Sequence, residues 1–266
     1  MDGGRGFVCA PWPDKDEIGI LTLAGRWSIF GVVAAALLAA NATGVHAGPR
    51  AVIELFTSQG CSSCPPADKL VGELRNDPRL VVVSLPIHYW DYLGWKDTLA
   101  DPRHTARQKA YSRIRGDADI YTPQVVVNGA VHALGSDRGA IERAVVTAHD
   151  GGAQLSVPVE VAVANGQVSI TVGKADASPA GEIWLWGLAS TVPVAIRRGE
   201  NKGRTITYSN VVRRWIKLGD WAGPGTWTVP LAQVKAEMVD LVAVIVQTGN
   251  TGTPGTIRGA AIAQLE

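Results

Sequence analysis

The fold is decided by the stretch Ala51-Val52-Ile53-Glu54-Leu55-Phe56-Thr57-Ser58-Gln59-Gly60-Cys61-Ser62-Ser63-Cys64-Pro65-Pro66. Its first six residues are mostly apolar and typical of a strand, and a helical pattern begins after the prolines. The apolar residues of that pattern are Ala67, Leu70, Val71 and Leu74. Their spacing places them on one helical face. A Cys-x-x-Cys pair at such a strand-to-helix junction is a common setting for redox chemistry or metal capture.

Strand and helix patterns alternate from this stretch to residue 150. Strands are predicted at 80–85, 124–127 and 130–134, the last two joined by Asn128-Gly129, a strong hairpin signal. A helix is predicted over 99–115, with Ala106, Ala110 and Ile114 spaced four apart. Another helix follows Ser136, a residue type that can cap a helix N-terminus. Residues 48–150 therefore read as an α/β domain.

The pattern changes near residue 151. Short apolar runs at 155–164, 167–172, 183–188, 204–212, 226–229, 241–247 and 257–264 alternate with Gly, Pro and Asn. Asn165-Gly166 repeats the hairpin signal. Evenly spaced strands with turn signals are typical of an all-β sandwich. We therefore predict a second, sandwich-like domain over 151–266.

The amino terminus resembles a secretory signal peptide with a long polar start. Residues 27–40 are uncharged and almost wholly apolar, but shorter than the roughly 20 residues that span a bilayer. Val45-His46-Ala47 is a plausible cleavage site. Cleavage would remove residues 1–47, and with them Cys9, leaving Cys61 and Cys64 as the mature thiols. A periplasmic or secreted protein without stable membrane insertion is expected; a buried helix or a retained anchor is the alternative.

Composition argues against partners that are bound by bulk charge. The formal net charge of the 266-residue chain is +1, and 18% of its residues are charged. No overall field therefore favours nucleic acid or anionic lipid. No cofactor motif is present, so none is predicted.

The first half resembles the thioredoxin fold, on the strength of the Cys-x-x-Cys position and of Tyr121-Thr122-Pro123-Gln124 at the third strand. The whole mature sequence further resembles a family of secreted bacterial proteins of unknown function with a thioredoxin-like domain. The matching features are the 54–68 stretch, the 88–95 segment, Thr122-Pro123-Gln124 and Arg198-Gly199-Glu200-Asn201-x-Gly203. This resemblance implies that Pro123 is cis and faces the cysteines.

The cysteine pair suits thiol–disulfide exchange, in which a thiolate is the attacking species. A cysteine at a helix N-terminus faces positive partial charge, which favours the anion. Cys61 is then the nucleophile and Cys64 the resolving thiol. However, Pro65 and Pro66 favour a helix that starts after Cys64, and a residue before proline is steered away from helical angles. An inert structural disulfide remains an alternative.

The segment after the second strand supplies candidate neighbours for the thiols. Carboxyl ends of parallel strands meet at one sheet edge, where ligands bind. His88 is a candidate for proton transfer. Trp90 and Trp95, with Thr122, are candidates for substrate contact. The alternative is that the aromatic residues only cover the sheet edge.

These observations predict an exported thiol–disulfide oxidoreductase whose partners are protein thiols or disulfides and whose catalytic residues are Cys61, Cys64, Pro123 and His88. A non-enzymatic binding module with a structural disulfide is the first alternative. A zinc or copper carrier is the second, although the two methionines of the chain offer little for copper.

Overall fold

The computed structural model describes residues 48–175 and 180–265. The predicted signal peptide, residues 1–47, lies outside them. The elements of the first half are β1 Ala51–Thr57, α1 Pro65–Leu74, β2 Leu80–Pro86, α2 Pro102–Arg115, β3 Gln124–Val127, β4 Val131–Leu134 and α3 Arg138–Asp150. A short 3₁₀ turn, Asp91–Leu93, precedes α2. The predicted order of strands and helices in this half is confirmed.

The second half is built mainly of strands. Its elements are β5 Val159–Ala164, β6 Gln167–Val172, β7 Gly181–Ala195, β8 Thr205–Trp221, β9 Gly225–Pro230, α4 Leu231–Val234, β10 Leu241–Asn250 and β11 Thr253–Gln264. β7 and β8 are much longer than the apolar runs that predict them, because their paired ends continue as a hairpin whose apolar residues, among them Val192, Ile206 and Tyr208, are buried in a further cluster.

One eight-stranded mixed sheet runs through both halves in the order β11-β10-β7-β8-β2-β1-β3-β4. β1 and β2 are parallel, whereas β3 and β4 pair antiparallel beside β1. The halves meet where β2 and β8 run parallel, with Ser84 opposite Val211. There the Ser84 hydroxyl donates to the carbonyl of Ser209 at 2.7 Å, and Asn210 donates to Val82 at 2.8 Å. The sheet therefore continues across residue 151, and the division into two folding domains stays a prediction.

A second sheet of three strands, in the order β5-β6-β9, packs against part of the large one. Apolar residues of β6, among them Val168, Ile170 and Val172, contact Ile183 of β7 and Val244 of β10 in one buried cluster. The alternation of buried and exposed residues along β6 gives it one covered face and one solvated face. The second half thus contributes two packed layers of strands.

Two further apolar clusters cover the two faces of the large sheet around β1. On one face, Ile53 and Leu55 pack with α1 and α3. On the other, Val52 and Phe56 pack beneath α2 together with Trp186 of β7. Every residue of β1 is buried, as expected for a strand covered on both faces.

The buried face of α2 differs from the predicted one. Ala106 is exposed and Ile114 is 49% exposed, so the alanine-isoleucine spacing does not mark the core. The buried residues are mostly polar, and Arg107 among them pairs with Glu54 in the middle of β1, with Nε 2.6 Å from Oε1. The helix packs on this polar side because the buried charge on β1 needs a partner there.

Local sequence signals place the turns well. The central residues of both Asn-Gly turns have positive φ, 50° and 69° for Asn128-Gly129, and 53° and 73° for Asn165-Gly166, as such hairpins require. The predicted cap of α3 is wrong by one residue. Asp137, not Ser136, is in the extended N-cap conformation, and its carboxylate accepts the amide of Ala140 at 3.0 Å.

Candidate functional site around the disulfide

Cys61 and Cys64 form a disulfide between the end of β1 and the start of α1, with Cα atoms 5.4 Å apart. Cys64 is fully buried and Cys61 is 5% exposed, while Ser62 and Ser63 between them are exposed. The pair therefore lies just beneath the surface, and Cys61 is the cysteine that a partner can approach.

The helix begins at Pro65, as the prolines predict, but Cys64 itself has helical angles, φ −77° and ψ −35°. Cys64 therefore lies outside the helix as its N-cap, as predicted, but without the extended angles that are usual before proline. Its carbonyl accepts the amides of Ala67 and Asp68 at 2.9 and 3.1 Å, and these bonds offset the preference of a residue before proline. Because Pro65 and its neighbour Pro66 carry no N–H, the first turn offers fewer donors to a Cys61 thiolate.

The Thr122–Pro123 peptide bond is cis and lies beside the disulfide. The carbonyl oxygen of Thr122 is 3.8 Å from Cys61 Sγ, and the Ser63 hydroxyl donates to the same oxygen at 3.4 Å. Thr122 is half-buried whereas Pro123 is buried. The structure thus confirms the cis bond that the family resemblance implies and brings the carbonyl of Thr122 to Cys61.

Trp90 and Trp95 frame the turn that carries the cysteines. Trp90 Nε1 donates to Thr122 Oγ1 at 2.7 Å, and Trp95 Nε1 donates to Gln59 Oε1 at 2.8 Å. A Cβ atom on Gly60 would be 3.1 Å from Trp90 Cβ, so glycine allows this close packing. Both tryptophans are half-buried, which leaves part of each ring at the surface.

His88 makes different contacts from the other predicted site residues. It is exposed, and its Nδ1 lies 2.9 Å from the hydroxyl of Thr105 in α2. None of its hydrogen bonds within residues 48–175 or 180–265 goes to the cysteines, Thr122 or the tryptophans. Its predicted role in proton transfer therefore gains no support from geometry.

A loop from the second half completes the site. Asn201, between β7 and β8, is fully buried, and its Nδ2 donates to the carbonyls of Gln59 and Cys61 at 3.0 and 2.8 Å. The carboxylate of Glu200 accepts the amide of Ser62 at 3.3 Å. Sequence reasoning assigned no role to these residues, although the 198–203 stretch was one of the motifs carrying the family resemblance.

Replacing Asn201 with Ala is expected to lower the free energy of unfolding by at least about 2 kcal/mol, because two buried carbonyls lose their donor. Reduction of the disulfide by dithiothreitol should also become faster, since the turn loses its link to the second half. Urea unfolding and thiol alkylation measure the two effects. Lys202→Ala, at the exposed neighbouring position, is the control; equal behaviour of the two variants would contradict this role for Asn201.

Two buried carboxyl groups lie on the inner side of the site. Asp68, one helical turn after Cys64, accepts a hydrogen bond from Thr57 Oγ1 at 2.8 Å. Burial raises its pKa to about 8, with a further contribution from Asp97. Burial also raises the pKa of Asp97, to about 6, although its carboxylate accepts the amides of Gln59 and Leu99, both at 2.8 Å. Asp68 Oδ2 has no partner in the described part of the chain.

The positions of Asp68 and Asp97 in the sequence indicate that both lie near the cysteines. Asp68 occupies the position four residues after Cys64 and so shares its helical face. Asp97 follows the aromatic segment that was singled out as a neighbour of the thiols. Neither was predicted, because an acidic residue near a helix start or in a loop is normally solvated.

Within residues 48–175 and 180–265, no group of three or more His, Cys, Asp or Glu side chains is arranged to hold a metal ion. Across the same ranges, no helix combines the length and the apolar character needed to span a membrane.

Solved structures include similar chains. A crystal structure of an Agrobacterium tumefaciens protein, determined as a structural-genomics target, is 34% identical, with a TM-score of 0.72 over 83% of this chain and 98% of that one. HBP35 of Porphyromonas gingivalis is 15% identical, with a TM-score of 0.54 over 82% of this chain and 76% of that one, a likeness of fold alone. No curated protein matches the sequence. The model of one protein family matches residues 52–247, and the chain therefore belongs to that family, described as a protein of unknown function (DUF1223).

Proposed function

We propose that this protein is a thiol–disulfide oxidoreductase that uses the Cys61–Cys64 pair. The proposal rests on the groups that surround the cysteine pair. On the outer side the half-buried Thr122 places its carbonyl 3.8 Å from Cys61 Sγ. On the inner side Asp68, 2% exposed, holds a carboxyl whose pKa burial raises to about 8. An accessible sulfur and a buried group that can hold or release a proton near neutral pH suit exchange chemistry.

We further propose that residues 48–150 form a thioredoxin-like domain and that residues 151–266 form a sandwich-like β domain. The order β1-α1-β2-α2-β3-β4-α3 and the position of the cysteines after β1 support the first assignment. The packing of β5, β6 and β9 on β7 and β10 supports the second. In this arrangement the β domain supplies Asn201 to the site of the first domain.

The proposed exchange transfers two electrons from the reduced pair to a protein disulfide. The Cys61 thiolate attacks one sulfur of that disulfide, forming a mixed disulfide and releasing the other sulfur as a thiolate. Cys64 then loses its proton and attacks Cys61 Sγ. The Cys61–Cys64 bond forms, and the second substrate sulfur leaves as a thiolate. The reverse sequence oxidises a protein dithiol. Cys61 attacks first because Cys64 is fully buried.

We assign to Asp68 the role of exchanging a proton with Cys64. Positions 64 and 68 share a helical face, and both side chains are buried. Burial raises the pKa of the Asp68 carboxyl to about 8, so near neutral pH this group can both hold and release a proton. Thr57, which donates to Oδ1, orients the carboxyl.

Trapping of partners tests the proposed exchange. Cys64→Ala removes the thiol that resolves the mixed disulfide on Cys61. Mixed disulfides with protein partners should therefore accumulate, and they should disappear on reduction. Cys61→Ala, the matched control, should give at most a few per cent of that amount, since Cys64 is enclosed. If Cys64→Ala forms no adducts in the native compartment, or if both variants form them equally, the pair is a structural disulfide and the protein a binding module.

We also propose that the protein is exported, with residues 1–47 removed. A mature pair without other thiols suits a compartment in which disulfides persist. Intact-mass measurement of the protein purified from its native host should show a chain beginning at Gly48; a chain that retains Cys9 would contradict export with cleavage.

A further inference from the structure

A cavity of about 210 Å³ lies between α2, the strands β7 and β8, and the turn that joins β10 to β11. It shares no lining residue with the disulfide site. Most of its lining surface is apolar, and its polar groups come from a few side chains. An apolar cavity of roughly 150 Å³ is sufficient for benzene. This cavity is therefore large enough for one substituted aromatic ring.

The floor of the cavity is formed by Arg107, which is 8% exposed. Its Nε lies 2.6 Å from Glu54 Oε1, and its Nη2 donates to Gln247 Oε1 at 2.9 Å and to Tyr111 Oη at 2.5 Å. In the described ranges these bonds involve Nε and Nη2, and none involves Nη1. Since Arg107 lines the cavity, this guanidinium offers it a charged donor that lacks an acceptor.

The walls of the cavity are aromatic. The rings of Trp184 and Trp215 meet edge to face, with centroids 5.9 Å apart. The guanidinium carbon of Arg103 lies 5.8 Å from the centroid of Trp215. The indole N–H of Trp215 also lacks a partner among the described residues. Aromatic walls of this kind favour a flat, apolar body over an extended polar one.

The acidic residue that lines the cavity, Glu182, already has hydrogen-bond partners within the protein. The carboxylate of Glu182 accepts from Lys217 Nζ at 2.8 Å, and from Trp184 Nε1 and Thr251 Oγ1 at 3.1 Å each. Its charge is therefore compensated by an ion pair at the rim. Arg107 is also charge-paired, with Glu54, but its Nη1 takes no part in these bonds, and a carboxylate is a ligand that would accept from it.

We propose that this cavity binds a small aromatic carboxylate, with the carboxylate on Arg107 Nη1 and the ring packed against the parts of Trp184 and Trp215 that line the cavity. The proposal is independent of the redox chemistry at Cys61 and Cys64. The site is shared by α2 of the first half and the strands of the second half. The cavity is also lined by residues 247–250 at the end of β10 and by Thr251 in the turn that follows.

Isothermal titration of the full mature protein with benzoate and phenylacetate tests the proposal, with benzyl alcohol as the neutral probe and benzylamine as the cationic one. The carboxylates should bind one to one, at least tenfold more tightly than either other probe. Absence of saturable binding by both carboxylates would overturn the proposal. Equal binding of benzyl alcohol, or tighter binding of benzylamine, would also overturn it.

The matched variants act at Ala106, an exposed residue that lines the cavity mouth on α2. Ala106→Trp fills the opening without touching the Arg107 network and should weaken carboxylate binding at least tenfold, whereas Ala106→Ser should leave it within twofold. Circular dichroism and the melting temperature check that both variants are folded. Binding unchanged in Ala106→Trp would place the ligand elsewhere and overturn the proposal.

Discussion

Replacing Arg107 with Met is expected to lower the free energy of unfolding by about 3–5 kcal/mol, because Glu54 would keep a buried charge without its partner. Glu54 is fully buried in the centre of β1, and Arg107 covers it from α2. The guanidinium also lies 5.0 Å from the centroid of the Trp186 ring and 4.9 Å from that of Tyr111. One substitution therefore removes an ion pair, its hydrogen bonds and an aromatic contact.

The double variant Glu54→Leu/Arg107→Met distinguishes the cost of an unpaired buried charge from the cost of lost packing. Replacing both partners by apolar side chains removes the unpaired charge, so this variant should recover most of the loss seen with Arg107→Met. Arg103→Met, which breaks the exposed pair with Asp101 on the same helix, should cost at most about 1 kcal/mol. Urea unfolding measures all three. A loss in Arg107→Met no larger than in Arg103→Met would contradict the role assigned to the buried pair.

The stability of the protein should fall as the pH rises from about 4 to 8, by up to about 6 kcal/mol through Asp68 alone. Burial raises the pKa of Asp68 from 3.8 to about 8 in the folded chain. Between these values the folded state holds one proton more than the unfolded state, so each added pH unit disfavours folding. Below pH 4 the contribution is fully present, and above pH 8 the loss is complete.

Asp68→Asn isolates this contribution, because an amide does not titrate. The difference in unfolding free energy between the variant and the wild type should grow with pH from 4 to 8 and then level off. Comparing the two proteins cancels the opposite slope of His104, whose pKa burial lowers to about 4. Glu73→Gln, at an exposed position of the same helix, should keep the wild-type slope. Parallel curves for Asp68→Asn and wild type would contradict the raised pKa.

The local parts of the fold were predictable from the sequence. Hydrophobic periodicity placed the strands and helices of 48–150, and the two Asn-Gly pairs placed their turns. The position of the Cys61–Cys64 site at the end of β1 followed from the same patterns, because a buried strand, two prolines and an amphipathic helix are all signals within a few residues of each other.

Long-range contacts were not predictable in this way. That β8 would extend the sheet beside β2 depends on the pairing of Ser84 with Val211, residues far apart in the chain. The contribution of Asn201 to the site has the same origin. The buried face of α2 was mispredicted because hydrophobic periodicity considers apolar residues only. On this helix the buried face carries Arg107, which is buried because it pairs with the charge of Glu54 on β1.

The proposed function depends most directly on the reduction potential of the Cys61–Cys64 pair. The mature protein would be equilibrated with defined ratios of reduced and oxidised glutathione or dithiothreitol, and the reduced fraction counted by alkylation and mass spectrometry. An exchange catalyst should have a potential above about −300 mV, in the range of roughly −270 to −120 mV that is known for proteins of this activity. A potential below about −300 mV would identify a structural disulfide and contradict the proposal.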